Sequence, residues 1–234
     1  MQQENSITTI FFDLDHTLWD FEKNSEQTFD KIFKEERLPL VLEEFISVYS
    51  PINHECWRLY RNNSIGHEEL RNLRLVRTFE ALNFDYSQAQ LDAVNEKYIT
   101  YLSTFTELFE GTFSLLDALS RRYELHIITN GFESVQHHKI KNSGLAPYFK
   151  EVITAERAGF KKPSPHIFNY ALAQTGKKPK ECLMIGDSLE ADVQGALAVG
   201  MQAIHFNSHH EPPHDQCPIV YSLSELESLM NDVP

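Results

Sequence analysis

Two aspartates separated by one residue stand directly after a short apolar run near the start of the chain. Residues 7–12 are rich in β-branched and aromatic side chains, as is typical of a buried strand, and Asp13 and Asp15 follow them. Open α/β sheets bind ligands outside the carboxyl ends of their strands, where two carboxylates repel each other unless a cation or proton compensates them. The pair therefore indicates metal-dependent chemistry, with simple capping or solvation of the strand end as the alternative.

Polar residues also follow two later apolar runs. Thr129 ends one run and offers a hydroxyl, while Asn130 and Gly131 can turn backbone N–H groups toward an anion. An ordinary strand-to-helix turn accounts for the same three residues. Lys162 precedes Pro163, whose fixed φ angle could aim the lysine as a point charge, whereas a solvated basic loop is the alternative.

A further apolar run ends in Gly186 and Asp187, and Asp192 lies about one helical turn beyond them. Gly186 permits close backbone approach, and two acids at this spacing can share a cation or cap the following helix. Helix capping accounts for Asp187. It does not explain why Asp13 and Asp15 would face the same crevice.

The elements that position these residues can be read from the apolar pattern. Five runs predict buried strands, at 7–12, 125–129, 152–154, 183–185 and 203–206. Helical patterns separate the later runs at 134–143, 166–175 and 189–199, and Ser224 with Glu227 predicts a capping box for a last helix. Strands alternating with helices are typical of a parallel α/β sheet, which we therefore expect.

A long insertion separates the first two strands. The segment 19–105 shows helical spacing throughout, with a capping box predicted at Ser87 and Gln90 and a helix end or kink at Pro51. We expect an all-helical subdomain over 19–105, inserted into a discontinuous core of residues 1–18 and 106–234. Such an insertion would lie over the crevice as a lid, with passive decoration as the alternative.

Composition narrows the classes of function. The net charge of −13 over 234 residues argues against nucleic acid or an anionic membrane surface as a partner, and no apolar run reaches membrane-spanning length. The cysteines number three, and their scatter suggests no disulfide framework, which fits a reducing cytoplasm. We expect a cytoplasmic protein, and the sequence does not specify its oligomeric state.

The four strand-end groups together resemble the motifs of the haloacid dehalogenase-like (HAD) superfamily of phosphohydrolases. Residues 13–17 are similar to its DxDxT motif, and the later motifs correspond to Thr129, to Lys162 and to Gly186-Asp187 with Asp192. The resemblance covers nearly the whole chain and implies a Rossmann-like core with a helical cap. A finer resemblance, to bacterial house-cleaning pyrimidine 5′-nucleotidases, rests on segments 53–57, 128–132, 186–192 and 222–227.

The resemblance also implies a role for each motif residue. Asp13 would be the nucleophile that forms an aspartyl-phosphate, and Asp15 the general acid and base. Mg²⁺, or another divalent cation such as Mn²⁺, would be bound by Asp13, the Asp15 backbone carbonyl, Asp187 and, directly or through water, Asp192. The phosphoryl oxygens would be held by Thr129, Lys162 and the backbone N–H groups of Leu14, Asn130 and Gly131. The implied substrate is a small phosphorylated metabolite, in particular a nucleoside 5′-monophosphate.

Other activities stay open at this point. A sugar-phosphate phosphatase, including one acting on phosphoglycolate, or a phosphomutase would use the same aspartyl-phosphate. Haloacid dehalogenation needs no acid two residues after the nucleophile, so Asp15 and the pair Asp187 and Asp192 argue against it. A catalytically silent binding module is disfavoured because all four motifs are complete.

Several aromatic and histidine residues allow two interpretations. Four aromatic residues could stack on a nucleobase, although helical spacing favours a place in the cap core: Trp19, Phe21, Trp57 and Tyr60. Four histidines could suggest zinc, although a solvated loop is favoured because they lack a ligand pattern: His205, His209, His210 and His214. No role is assigned to His16.

Overall fold

A six-stranded parallel sheet forms the centre of the computed structural model, which describes residues 6–231. The strands are β1 (Thr9–Phe12), β2 (Glu124–Thr129), β3 (Glu151–Thr154), β4 (Cys182–Gly186), β5 (Gln202–Phe206) and β6 (Ile219–Val220). The parallel α/β fold and the five predicted strands are confirmed. The sixth strand is additional, because two residues are too few to form a pattern in the sequence.

The chain order of the strands reverses at the middle of the sheet. Across the sheet the order is β3-β2-β1-β4-β5-β6, so β2 and β3 lie on one side of β1 and the later strands on the other. Phe12 is level with Ile127 of β2 and with Ile185 of β4. The carboxyl ends of β1 and β4 therefore meet at a topological switch point, where open α/β sheets place their ligands.

The sheet is apolar because its strands are covered on both faces. All four residues of β1 are buried. One core cluster joins Phe11, Ile128, Ile153 and Met184 of the strands to Phe168 of a flanking helix. Burial of this apolar surface stabilises the sheet and fixes the level of the strand ends.

The segment between β1 and β2 is helical, as predicted. Its helices are α1 (Phe21–Glu36), α2 (Leu42–Arg61), α3 (His67–Ala81) and α4 (Gln88–Leu102), and they pack around buried aromatic side chains that include Phe29, Phe45 and Tyr49. The predicted capping box of Ser87 and Gln90 is present. Pro51 does not end a helix, because it lies inside α2.

Within the described range the chain divides into two compact units, residues 6–20 with 107–231, and Phe21–Thr106. These limits differ from the predicted ones by two residues at the first boundary and by one at the second. Trp19 falls in the sheet unit, since its backbone bridges to Asp15 and Leu108. No helix in the described part of the chain combines the length and apolarity that spanning a membrane requires.

Six further α-helices belong to the sheet unit over residues 6–231. They are α5 (Thr112–Leu119), α6 (Glu133–Asn142), α7 (Ala155–Ala158), α8 (Pro165–Thr175), α9 (Gly195–Ala198) and α10 (Leu223–Asn231). The last helix is capped two residues earlier than predicted. The Ser222 hydroxyl accepts from the Glu225 amide at 3.2 Å, whereas the Ser224 hydroxyl contacts Ser222 and Glu227 contacts Ser114.

The prediction of a single helix over 189–199 is also partly wrong. A wide π-helical turn occupies Leu189–Gln194, and α9 follows it. The Val193 amide donates to the Ser188 carbonyl, five residues back, at 3.2 Å. The Asp192 carboxylate accepts from the Ser188 amide at 3.0 Å, so the wide turn directs this side chain back toward the end of β4.

Candidate active site

Three carboxylates meet at the switch point of the sheet. Asp13 follows β1, Asp187 follows β4 and Asp192 lies in the wide turn; one oxygen from each lies within 4.8 Å of the others. All three are hard oxygen donors, the type that Mg²⁺ prefers, and such closely placed anions need a compensating cation. The residues therefore fit a divalent metal ion. The Asp15 side chain is not a member of this group.

The backbone explains how the three acids come so close. The Asp13 amide donates to the Ile185 carbonyl at 2.9 Å, which extends the pairing of β1 and β4 by one residue. A Cβ atom on Gly186 would overlap with the Asp192 carboxylate. Only glycine leaves room for Asp192 at this position, so close approach rather than backbone freedom accounts for Gly186.

Lys162 is a buried cation beside two of the acids. Its ammonium group donates to Asp13 Oδ1 at 2.8 Å, to Asp192 Oδ1 at 2.6 Å and to the Ile128 carbonyl at 2.8 Å. An ammonium group has three donors, and all three are used. Burial alone would lower the pKa of Lys162, but the two carboxylates outweigh it and raise the pKa to about 12.

The three acids have different electrostatic surroundings. Burial and the neighbouring carboxylates raise the pKa of Asp13 and of Asp192, although Lys162 opposes both shifts. Burial also acts to raise the pKa of Asp187, but a hydrogen bond from His209 and the positive potential of nearby histidines lower it overall. The His209 Nε2 atom lies 3.4 Å from Asp187 Oδ2. Asp187 is therefore the acid of the three that most readily stays ionised.

The residues predicted to bind phosphate, at the ends of β1 and β2, form hydrogen bonds with neighbouring protein groups. The Asn130 side chain donates to the Lys162 carbonyl at 2.9 Å and accepts from the Lys162 amide at 2.8 Å, which fixes the lysine backbone. The Gly131 amide donates to the Thr129 hydroxyl at 3.1 Å. The Leu14 carbonyl accepts from the Leu18 amide at 3.0 Å and so closes the turn after β1.

Asp15 lies against a pair of residues that the sequence analysis did not single out. Lys139 Nζ is 2.5 Å from Asp15 Oδ1, and Gln136 Nε2 donates to Asp15 Oδ2 at 2.9 Å. Both side chains are buried, and the Lys139 ammonium also lies 4.0 Å from the centre of the Trp19 ring. Their spacing of three residues on α6, directly after the Thr129 segment, is the signal that could have identified them.

The prediction of a solvated loop for the histidines is wrong for His205, whereas His209 and His210 are exposed beyond the end of β5, as predicted. His205 is fully buried in β5, where it contacts the Asp187 carbonyl through Nε2 at 2.7 Å and His214 through Nδ1 at 3.0 Å. Because a carbonyl only accepts, Nε2 of His205 carries the proton. The His16 and His209 rings lie 4.6 Å apart, so His16 also belongs to the surroundings of the acids.

Comparison with known proteins agrees with this architecture. A model of the haloacid dehalogenase-like hydrolase family matches residues 7–200. The chain is 32% identical to the pyrimidine 5′-nucleotidase PynA of Streptococcus pneumoniae, over 95% of this chain and 93% of that protein. It is 33% identical to the pyrimidine 5′-nucleotidase YjjG of Escherichia coli, over 94% and 96%.

A solved structure shares the fold over almost its whole length. The magnesium-bound HAD-hydrolase YfnB of Bacillus subtilis superposes with a TM-score of 0.86 at 27% identity, covering 97% of this chain and 99% of that one. The family match spans more than half of the chain and includes Asp13, Asp187 and Asp192. The protein is thus an enzyme of the haloacid dehalogenase-like hydrolase family.

Proposed function

We propose that this enzyme is a magnesium-dependent phosphomonoesterase that acts on a small phosphorylated metabolite, with a pyrimidine nucleoside 5′-monophosphate as the favoured substrate. The observation that carries the proposal is the meeting of Asp13, Asp187 and Asp192, with the buried ammonium of Lys162 paired to Asp13 and Asp192. Its relatives PynA and YjjG, both named as pyrimidine 5′-nucleotidases, support the choice of substrate.

Asp13 is the nucleophile in this proposal. One of its carboxylate oxygens forms a bond to phosphorus while the bond from phosphorus to the ester oxygen breaks, which gives an aspartyl-phosphate and an alcohol. Water then attacks phosphorus, the bond to Asp13 breaks, and inorganic phosphate leaves. Lys162 holds Asp13 Oδ1 at 2.8 Å and so fixes the direction of the carboxylate.

Asp15 moves the protons. It gives a proton to the departing ester oxygen and later takes one from the attacking water. A carboxylate two residues after the nucleophile distinguishes this chemistry from haloacid dehalogenation, which needs no leaving-group acid. Lys139 and Gln136 hold Asp15 by both oxygens, and the side chain must leave or share these contacts to reach the leaving oxygen.

Asp13, Asp187 and Asp192, with the Asp15 backbone carbonyl, are the groups that would hold Mg²⁺. When bound, the ion neutralises phosphoryl charge and so supplies electrostatic stabilisation to the transfer. Thr129 and Lys162 hold the phosphoryl group in this proposal, with backbone N–H groups around them, and Lys162 must share one of its three present hydrogen bonds to do so. The helical unit Phe21–Thr106 is proposed as the cap that selects the leaving group, and the cytoplasmic location stays a prediction.

The test is a phosphate-release assay on purified protein. The panel contains deoxyuridine, thymidine and adenosine 5′-monophosphates, glucose 6-phosphate, glyceraldehyde 3-phosphate and phosphoglycolate, each with Mg²⁺ and with excess chelator. We expect metal-dependent release with the pyrimidine nucleotides preferred. Preference for a sugar phosphate would contradict the substrate class, and conversion to an isomer without release, followed by phosphorus NMR, would indicate a mutase. Activity unaffected by chelation would contradict the metal.

A further inference from the structure

Gln136 is a buried amide that contacts two residues of the proposed reaction at once. Its Nε2 atom donates to the Thr129 hydroxyl at 2.7 Å and to Asp15 Oδ2 at 2.9 Å. The side chain lies on α6 and is almost completely buried. The proposed reaction assigns it no step, so its place between Thr129 and Asp15 needs another explanation.

The hydrogen bonds of Thr129 determine where its own proton can point. A hydroxyl accepts two hydrogen bonds and donates one. The Thr129 oxygen accepts from the Gly131 amide at 3.1 Å and from Gln136 at 2.7 Å, so both accepting positions are filled. The remaining proton must be donated, and a phosphoryl oxygen bound beside Asp13 is the acceptor that the proposed reaction brings to this end of the sheet.

The orientation of the Gln136 amide follows from Asp15. The amide nitrogen and not the amide oxygen faces Asp15, because Asp15 Oδ2 accepts from Nε2 at 2.9 Å. Lys139 holds the other oxygen of Asp15 at 2.5 Å and fixes the carboxylate in place. One amide hydrogen is thereby committed to Asp15, and the second is left for Thr129.

Two further observations indicate that the amide is held for its donors. Gln136 Oε1 is buried and has no hydrogen-bond partner among residues 6–231, which costs stability. A Cβ atom on Gly131 would overlap with the Gln136 amide, so glycine at this position leaves the space that the amide fills. A purely apolar side chain would fill the same space without an unpaired acceptor.

We propose that Gln136 is a positioning residue that makes the Thr129 hydroxyl a hydrogen-bond donor toward the phosphoryl group. The inference rests on the proposed phosphomonoesterase function and assigns to it a residue outside the four motifs. Gln136 acts on the phosphoryl group through Thr129, and its other contact is with Asp15 Oδ2. Its effect should therefore depend on the presence of the Thr129 hydroxyl.

The experiment is a double-mutant cycle read out by the binding of inorganic phosphate, measured by titration calorimetry with Mg²⁺ present. Gln136→Met should weaken phosphate binding about 10-fold, the size expected for a lost hydrogen bond to a charged group. In a Thr129→Val background the same substitution should change binding less than about twofold, because the two effects are coupled. The KM for the best substrate should rise in parallel.

Gln136→Glu provides a second variant of similar size. Its ionised carboxylate would accept from the Thr129 hydroxyl and turn the proton inward, so phosphate binding should fall at least as far as in Gln136→Met. Lys141→Met is the matched control, because Lys141 is an exposed residue of the same helix. Lys141→Met should bind phosphate as tightly as the unmodified protein does. A cooperative thermal unfolding transition, measured for each variant, confirms that the variant is folded.

Dependence on the Thr129 hydroxyl decides the inference. If Gln136→Met weakens phosphate binding by the same factor with and without that hydroxyl, or does not weaken it at all, Gln136 does not act through Thr129 and the inference is overturned. An unmodified protein that neither binds phosphate nor releases it from any ester would instead contradict the proposed function itself.

Discussion

The carboxyl edge of the sheet and its interior are built from the same strands but bury opposite kinds of side chain. The interior around Phe11, Ile128 and Met184 is apolar and close-packed. One residue beyond the strands, Asp13 and Asp187 are buried carboxylates that depend on Lys162, on histidines or on a metal ion for compensation. The interior stabilises the fold, whereas the edge keeps like charges together at an energetic cost, as expected of the proposed catalytic site.

Titratable groups show the same contrast. Lys162 is buried with three acceptors, and its pKa is raised to about 12. His126, in β2, is equally buried, but neither ring nitrogen has a hydrogen-bond partner in the described part of the chain, and burial lowers its pKa to about 4. A charge is tolerated at the edge because partners surround it, whereas the surroundings of His126 favour the neutral ring.

Removing the proposed nucleophile, Asp13, should separate activity from stability most strongly. Asp13→Asn should lower the rate of phosphate release at least about 10³-fold, as expected when a catalytic nucleophile is lost. The unfolding temperature of the metal-free variant should not fall, because one of three mutually repelling carboxylates becomes neutral. Phosphate release and scanning calorimetry test both parts. Substantial residual activity, or marked destabilisation, would break the contrast between edge and interior.

A smaller effect is expected from a methyl group at the edge. In Gly186→Ala the new Cβ would meet the Asp192 carboxylate, which must then move away from the other acids. Displacing Asp192, a proposed metal-binding group, should weaken the affinity for Mg²⁺ about 10- to 100-fold. Activity measured against Mg²⁺ concentration gives the affinity. Gly66→Ala is the control, since a Cβ there meets no described atom within 4 Å; equal behaviour of the two variants would argue against the close approach.

The smallest effect concerns the interior and depends on pH. The pKa of His126 is about 4 in the folded protein and about 6.5 when unfolded, so between these values only the unfolded chain takes up the proton. Stability should therefore fall as pH decreases from about 6.5 to about 4. His126→Phe should lack this loss and gain about 1 kcal/mol relative to the unmodified protein between about pH 7 and about pH 5.5.

Urea unfolding at several pH values measures the difference for His126→Phe. His137→Gln is the control, because His137 is exposed on α6. A pH dependence that is the same with and without His126 would show that its neutral burial does not contribute.

Local sequence carries most of the fold and of the strand-end chemistry. Each apolar run stops where a polar residue follows, so the positions of Asp13, Thr129 and Asp187 at strand ends can be predicted without knowing any contact. The wide turn at Leu189–Gln194 escapes such reasoning. Its residues continue a helical pattern, and the hydrogen bond that widens it leaves no trace in the spacing.

Contacts between distant segments account for the rest. Lys139 and Asp15 are 124 residues apart in the chain, and although the spacing of Gln136 and Lys139 places them on one helix face, it does not identify Asp15 as their partner. His205 belongs to an apolar strand pattern, and its contact with Asp187 depends on which strands become neighbours. Such pairings follow from topology, which the sequence determines only through the whole fold.

The two hydrogen bonds between the Asn130 side chain and the backbone of Lys162 have a consequence for protein engineering. The lysine is held by its main chain, from a segment 32 residues away, and this anchor does not depend on which side chain stands at position 162. A designer who transfers the lysine to another scaffold must therefore transplant the asparagine loop as well. Conversely, because the asparagine holds the backbone, the side chain at position 162 can be changed to that of any residue with a backbone N–H without redesigning the loop.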